Sequence, residues 1–416
     1  MIGHMGSVLA QFALLKIVAL FWGVEFFGEY SLVLALVAAV NILLFGPVTQ
    51  WAIRDYQRFD DEGRLSGFLM LLKQFSVAAF LLSLLLSFAA AGLVLAFSKG
   101  AFDLEWYVIV AGVLFGVGVA INNLVYALLN AARYPGISAL FTSIDSWLRL
   151  VVVVVVWGVG GTKVIEIVLG LILLQVLLFL CCYPYFLSRI KQSQLLYPGA
   201  IKVDSASIRS SMFSYSWPFL VWGIFGYMAG ISDRWVLASY VSPSELGMYS
   251  AMVLVTLGLS NAITEAVSKG IIPVVFRLSA SEDGTSPDAM KLVDATVFVL
   301  GAIFSLLVAF FYLFPNFIIT LISSSYFTGY AQYLWVLMVT AAVFSMAQIL
   351  TAHGMLKRVP AVYLPSKILH GVVVLAGLLF LVPRFGVAGA VYSVLVGGVF
   401  HLLFVLFINQ RIRSGA

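Results

Sequence analysis

Charged side chains are what this sequence most lacks. They make up 10% of its 416 residues, where a soluble domain carries roughly a quarter. A total of 18 acids and 23 bases cannot coat a water-facing globule of this length, so a soluble fold is excluded. Cysteine is nearly absent. The two present, Cys181 and Cys182, are adjacent inside an apolar run, which excludes a disulfide framework and a thiolate metal site. His353, His370 and His401 fall on three segments without metal-ligand spacing and read as isolated polar side chains. No nucleotide-binding glycine loop is present: Gly112, Gly116 and Gly118 lie within a hydrophobic run and serve helix packing. No cofactor and no metal are therefore expected, and energy for any work would come from ion gradients or downstream consumption of product. The first apolar run carries Lys16, leads into Glu25 and has no small-residue cleavage site, so no cleavable signal is expected.

Hydrophobicity is what the chain has in abundance. Apolar residues make up 62% of it and its mean hydropathy is +1.08, the composition of an integral membrane protein. A spanning helix needs about 20 mostly apolar residues. Twelve such runs are read at 5–22, 31–53, 69–97, 106–130, 138–160, 164–187, 212–239, 246–271, 291–314, 330–351, 361–382 and 387–409. Lipid offers no partner to an unpaired backbone group, so each run must be helical or part of a closed barrel. The runs are too long and too uniformly apolar for barrel strands, which alternate over about ten residues. The expected fold class is all-α.

The chain also repeats itself. Gly28, Tyr30, Ser31 and Arg58 recur as Gly247, Tyr249, Ser250 and Arg277, all at one constant offset and without a gap. Duplicated hydrophobic halves mark transporters, whose halves rock about a central site. Six spans per half is an even number, so both halves enter from the same side and should be related by a pseudo-two-fold axis along the membrane normal. The expected organisation is a six-helix bundle over 1–190, a cytoplasmic linker over 191–211 and a second six-helix bundle over 212–416. By the offset, the first helix would begin ahead of Met1, so it is expected to be short or incomplete.

Loop charges give an orientation. With both termini cytoplasmic, fifteen Lys and Arg residues fall in inner loops or at the inner ends of spans, from Arg54, Arg58 and Arg64 to Arg411 and Arg413, and only Lys99, Lys163 and Arg384 in outer loops. That is the asymmetry of the positive-inside rule. It also explains the net charge of +5 without a nucleic-acid partner. No outer loop exceeds about twenty residues, which leaves no room for an extracytoplasmic catalytic domain.

Several short motifs carry a family resemblance. They are Phe27-Gly28-Glu29-Tyr30-Ser31, the stretch from Gly46 to Arg54, and Asp233-Arg234 late in the seventh span. Three more are Glu245-Leu246-Gly247-Met248-Tyr249-Ser250, Pro273-Val274-Val275-Phe276-Arg277 and Phe385-Gly386-Val387-Ala388-Gly389-Ala390. Together they resemble the oligosaccharide flippases (O-antigen translocases, Wzx-like), within the superfamily that also holds multidrug/toxin exporters and lipid II flippases. The resemblance extends over essentially the whole chain. It implies two six-helix bundles around a central cavity in the bacterial cytoplasmic (inner) membrane. The substrate it implies is an undecaprenyl-diphosphate-linked oligosaccharide, moved to the outer leaflet for lipopolysaccharide, capsule or exopolysaccharide biosynthesis. Partners would be membrane lipids and a polysaccharide polymerase or export complex.

Charges inside the spans are costly and mark candidate sites. Ser138, Thr142, Asp145 and Arg149 share one face of the fifth span. Arg149 lies about eleven residues in, roughly 16 Å deep at 1.5 Å per residue, where its planar fork suits a diphosphate. The competing reading is that Asp145 and Arg149 neutralise each other. Asn261, Glu265 and Lys269 form a similar face on the eighth span. There Glu265 is a candidate coupling carboxylate, and Lys269 is either its partner or a snorkelling end. Asp233 and Arg234, with Lys16 at a matching depth by the repeat, suit a gate, a phosphate grip or a salt bridge between bundles. Consecutive positions point about 100° apart on a helix, so Asp233 and Arg234 are not expected to face one partner together. Asn122, Tyr126 and Asn130 form a period-four stripe that fits either sugar hydroxyls or a neighbouring helix. The basic residues Lys16, Lys73, Arg149, Arg234 and Lys269 outnumber the acids Asp145, Asp233 and Glu265, which favours an anionic head group over the organic cations of a drug exporter. Such a protein is expected to be a transporter and not an enzyme.

The topology has a direct check. A cysteine placed at Arg58 or at Arg277, in a chain without Cys181 and Cys182, will resist impermeant thiol reagents applied to intact cells and react once the membrane is opened. Labelling from outside would overturn the orientation.

Overall fold

The computed structural model describes residues 2–97, 105–194, 205–279, 287–357 and 360–414. Among them every regular element is helical and none is a strand. Nine segments among the described residues are long and apolar enough to cross a membrane. Outward-facing side chains such as Leu85, Phe298 and Leu306 are mostly exposed, as a lipid-facing surface requires.

The N-terminal region opens with α1 (Ile2–Phe21) and α2 (Gly23–Ala39), broken at Gly23 with φ +83°. A π-helical turn over Val40–Phe45 links α2 to α3 (Gly46–Asp61). Such bulges are rare and frequently sit at functional sites. Pro47 has no N–H to return along the helix, and the Gly46 N–H bonds the Asn41 carbonyl instead. Then come α4 (Leu65–Phe97), α5 (Trp106–Ala131), α6 (Pro135–Gly158) and α7 (Val164–Gln194). The α3–α4 turn is tied by Glu62, which accepts from Arg58 at 2.9 Å and Arg64 at 3.0 Å. The Arg58 guanidinium, then Arg64, hold its carboxyl below the ordinary carboxylate range.

The C-terminal region holds α8 (Ser205–Gly230), α9 (Ser232–Ala238), α10 (Pro243–Ser279), α11 (Pro287–Leu313) and α12 (Pro315–Ile322). A 3-10 stretch over Ser325–Tyr333 leads into α13 (Leu334–Leu350), followed by α14 (Ala352–Leu356) and α15 (Leu364–Ser414). Gly386 leaves helical geometry inside α15 with φ 53°, a value that favours glycine, and the helix folds back there into two antiparallel arms. Gly377 meets Ser393, and Gly397 meets Val374 and His370.

Two expectations change. Phe27–Ser31 does not lie between the first two spans, and Leu246–Ser250 does not open the eighth. They lie inside α2 and α10, whose starts fall earlier, at Gly23 and Pro243. The expected seventh span is not continuous: Ile231, with φ −140°, separates α8 from α9. The middle of the expected linker, 195–204, lies outside the described residues.

By contacts the chain forms two compact units. One contains Ile2–Ile17 and Glu29–Tyr227, the other Val18–Gly28 and Met228–Ala416. The first is built around α5, whose apolar window is 72% buried. Trp51 and Phe68 pack at 5.0 Å in its aromatic core, with Phe59 at 5.1 Å from Phe68. It also holds most of α8. Tyr227 donates to the Ala35 carbonyl at 3.2 Å, Ser216 to that of Pro47 at 3.2 Å, and the Arg54 guanidinium covers the Tyr215 ring at 4.3 Å. Gly223 lies against the Ile42 carbonyl of the π turn, where a Cβ would stand at 2.9 Å. In the second unit the most buried long segment is Ser325–Leu356, at 61%. Ser325 stands to Trp106, the start of α5, at the same offset that relates Gly247 to Gly28.

The repeated glycines meet inside this second unit. A Cβ on Gly28 would overlap the Pro243 carbonyl oxygen, and one on Gly247 would overlap that of Val24. Val24 and Pro243 are themselves related by the repeat offset. The contact is reciprocal, and only residues without a side chain let the two backbones approach so closely. Gly28→Ala and Gly247→Ala will therefore each destabilise the protein by about 1–3 kcal/mol, since the opposing atoms are backbone and cannot rotate away. Gly136→Ala, where a Cβ meets nothing within 4 Å, is the control. Thermal midpoints in detergent check this, and equal midpoints for all three variants would refute it.

Candidate functional site: polar networks inside the two units

The first network crosses three helices of the N-terminal unit. Asp145 and Arg149 stand one turn apart on α6, where i and i+4 share a face. Arg149 Nε donates to Asp145 Oδ1 at 3.0 Å, and Nη2 donates to Oδ2 at 2.5 Å. Gln175 of α7 donates to the same carboxylate at 2.9 Å. Asn122 of α5 donates to the Gln175 side chain at 2.8 Å and to its carbonyl at 2.9 Å. Gly118 makes room for Gln175, whose Cβ would stand 2.8 Å from a Cβ there. The geometry is that of the neutralising pair, not of a bare arginine. Yet 25% of the Arg149 side chain is accessible, against 7% for Asp145. A guanidinium has five N–H donors, so this bidentate contact leaves others to give. Arg149 also lies 5.6 Å from the Phe115 ring.

The Asn122–Tyr126–Asn130 stripe divides. Asn122 and Tyr126 are buried, while Asn130 is exposed near the end of α5. Asn122 takes the neighbouring-helix role that was the alternative to sugar binding. Tyr126 stacks on Phe141 with rings 6.0 Å apart, and its hydroxyl is buried without a hydrogen-bond partner among the described residues. Ser138 donates to the Tyr126 carbonyl at 2.8 Å. Around the π turn, Asn41 donates to the Val37 carbonyl at 2.9 Å and that of Gly116 at 3.3 Å, and accepts from exposed Asn123 at 3.1 Å. Lys16 is half-buried on α1 and Lys73 exposed on α4.

The second network belongs to the C-terminal unit. Asp233 and Arg234 do not point apart as consecutive positions of a regular helix would; they face each other. The break at Ile231 lets the Arg234 side chain turn back, so that Nη1 donates to Asp233 Oδ1 at 2.8 Å and to the Gly230 carbonyl at 3.2 Å. Buried Tyr249 of the second repeat copy donates to Asp233 Oδ2 at 2.6 Å. On α10 the inward face runs one residue off the expected one. Ser260 and Thr264 are buried, with Ser260 bonded to Ser345 of α13 at 2.7 Å, whereas Asn261 is exposed and Glu265 half-buried. The side chain of Lys269 lies outside the described side chains.

Sequence reasoning missed Gln175, Asn41, Tyr249 and the meeting of His370 with His401. Gln175 had a signal, since it is the one amide in a long apolar run. The histidine pair had none, because its members stand far apart in sequence on arms whose fold-back is set by Gly386.

No protein-family model matches the chain, and no curated protein matches it. Solved structures do. A lipid II flippase, MurJ, in an inward closed conformation superposes with a TM-score of 0.69 at 13% identity, covering 99% of this chain and 88% of that one. The MATE transporter VcmN of Vibrio cholerae, as a point mutant, superposes with a TM-score of 0.69 at 14% identity, covering 100% and 95%. A MOP-superfamily transporter of Pyrococcus furiosus, described as having a binding pocket of reversed polarity, gives 0.54 at 15% identity, covering 99% and 96%. At such identities the likeness is one of fold: the chain has the fold of MOP-type transporters and flippases.

The central ion pair makes a stability prediction. Asp145→Ala strands the Arg149 charge and removes the acceptor of Gln175. It will lower stability by on the order of 2–4 kcal/mol, discounted from the cost of breaking a fully buried pair because a quarter of the Arg149 side chain is accessible. The double variant Asp145→Ala/Arg149→Leu will recover most of that loss in thermal unfolding in detergent. A double variant no more stable than the single one would show that the pairing is not the interaction that matters.

Proposed function

We propose that this protein flips undecaprenyl-diphosphate-linked oligosaccharide from the inner to the outer leaflet of the bacterial cytoplasmic membrane, by alternating access, for surface polysaccharide assembly. The carrying observation is the partly accessible Arg149, oriented by Asp145 within an apolar helical unit with N–H donors to spare. A diphosphate supplies acceptors that match them in geometry and charge. Two of the three acids of the spans support the same sign. Asp145 and Asp233 are each engaged by an adjacent arginine, which weakens the case for an organic-cation exporter needing a free carboxylate. The exposed amides of Asn123 and Asn130 offer sugar hydroxyls both donors and acceptors. A downstream polymerase or export complex would consume the delivered unit and draw transport forward. The second reading is flipping of lipid II, the substrate named for one structure of this fold, which carries the same diphosphate chemistry.

Lipids extracted from cells lacking the protein test both readings. Accumulation of a complete diphosphate-linked oligosaccharide, with loss of surface polymer, is expected, and its sugars identify the substrate. Accumulation of lipid II in its place would select the second reading. Unchanged lipids and polymer with greater sensitivity to cationic drugs would overturn both. In the deleted strain, Arg149→Ala will insert at near wild-type level and restore less than about a tenth of surface polymer, the loss of one strong charge-assisted contact.

A further inference from the structure

The C-terminal unit buries three basic side chains at one spot. The imidazoles of His370 and His401, on opposite arms of α15, stack with centroids 4.8 Å apart and planes 10° from parallel. Phe344 of α13 flanks both, 5.7 Å from His370 and 6.0 Å from His401, and Lys367 Nζ lies 4.7 Å from the same phenyl ring. Lys367, His370 and His401 expose 5%, 5% and 2% of their surface. The arms are close here: a Cβ on Gly397 would overlap Val374 and stand 3.3 Å from His370 Cδ2.

The hydrogen bonds fix one ring and leave an atom of the other open. His401 Nδ1 faces the Ser366 carbonyl at 3.3 Å; a carbonyl only accepts, so His401 is the Nδ1–H tautomer. His370 Nδ1 is buried with no hydrogen-bond partner among the described residues, a state that needs an explanation in a packed interior. The titratable groups that act on His370 are Lys367 and His401, and Lys367 acts on His401 as well. From α13 the rings meet the face of Phe344. Towards the end of the second arm, Arg411 covers the Phe407 ring at 4.6 Å, and Arg413 is bound to Asp294 of α11 at 2.6 Å, where His353 of α14 bonds the same carboxylate at 3.1 Å.

A site this tight has room for a proton and not for a larger ion, and histidine is the side chain whose ordinary titration falls in the cellular range. Two stacked imidazoles beside an ammonium cannot both be charged, so they titrate as one coupled unit. We propose that the His370–His401 pair is a proton-binding site of the C-terminal unit, which takes one proton from water as the two arms of α15 part and returns it to water as they close. The added charge sits beside Lys367 and the second ring, so proton uptake and loosening of the arms are linked. A role for this proton in driving transport rests on the flippase reading; the binding itself does not.

Hydrogen–deuterium exchange on the whole protein in phospholipid nanodiscs tests the site without any substrate. From about pH 8 to about pH 5, across the ordinary histidine range, exchange in the segments around His370 and His401 will rise about tenfold after correction for intrinsic chemistry, the factor that one pKa unit of linkage yields. In His370→Gln/His401→Gln this rise will disappear. Lys367→Met, which removes a like charge, will move the transition to higher pH, and this variant carries the test alone should the double variant fail to insert. An unchanged wild type, a response that survives in the double variant, or a transition unmoved in Lys367→Met would overturn the proposal. A negative lipid-extraction result leaves this test intact, so the two failures are distinguishable.

Discussion

Two helices can approach to backbone contact only where neither carries a side chain, and in this protein that place is the crossing of α2 and α10. Gly28 faces the Pro243 carbonyl while Gly247 faces that of Val24, one contact made twice by equivalent positions of an internal repeat. In a membrane there is little hydrophobic drive between helices, so close packing and polar contacts must hold them. The tyrosines two residues beyond these glycines are both buried. Tyr249 bonds Asp233 directly.

The charges themselves obey the same medium. Taking an isolated ion out of water costs several kcal/mol even after relaxation, and the two most deeply buried carboxylates of the networks are each matched locally. Asp145 finds Arg149 one turn away and Gln175 across a helix interface. Asp233 finds its neighbour Arg234, because the break at Ile231 turns the side chain back. Neutralisation does not make these sites inert. Arg149 keeps further donors and some accessible surface, while Asp145 is the more buried of the two.

Much of the fold was legible because lipid imposes a length and a composition on every span. The apolar runs from 106–130 and 138–160 correspond closely to α5 and α6. The helix interruptions were less legible. The breaks at Gly23, Ile231 and Gly386, and the π turn at Val40–Phe45, arise where a backbone must bend around a neighbour, and hydropathy is blind to that. Of the candidate residues, Asp145 and Arg149 were readable as a pair from their spacing. Asn122 was readable as polar, but its partner Gln175 is set by the contact of α5 with α7.

The sequence by itself determined that this chain is a helical membrane protein with a duplicated plan, because hydropathy and internal repetition are properties of composition and spacing along the chain. Tertiary structure alone decided which polar groups meet. Gly28 opposes Val24's counterpart Pro243, Gln175 reaches Asp145, and His370 stacks on His401. Each of these meetings depends on how two helices cross, and a crossing is fixed by the shapes of both surfaces together, not by either run of residues alone.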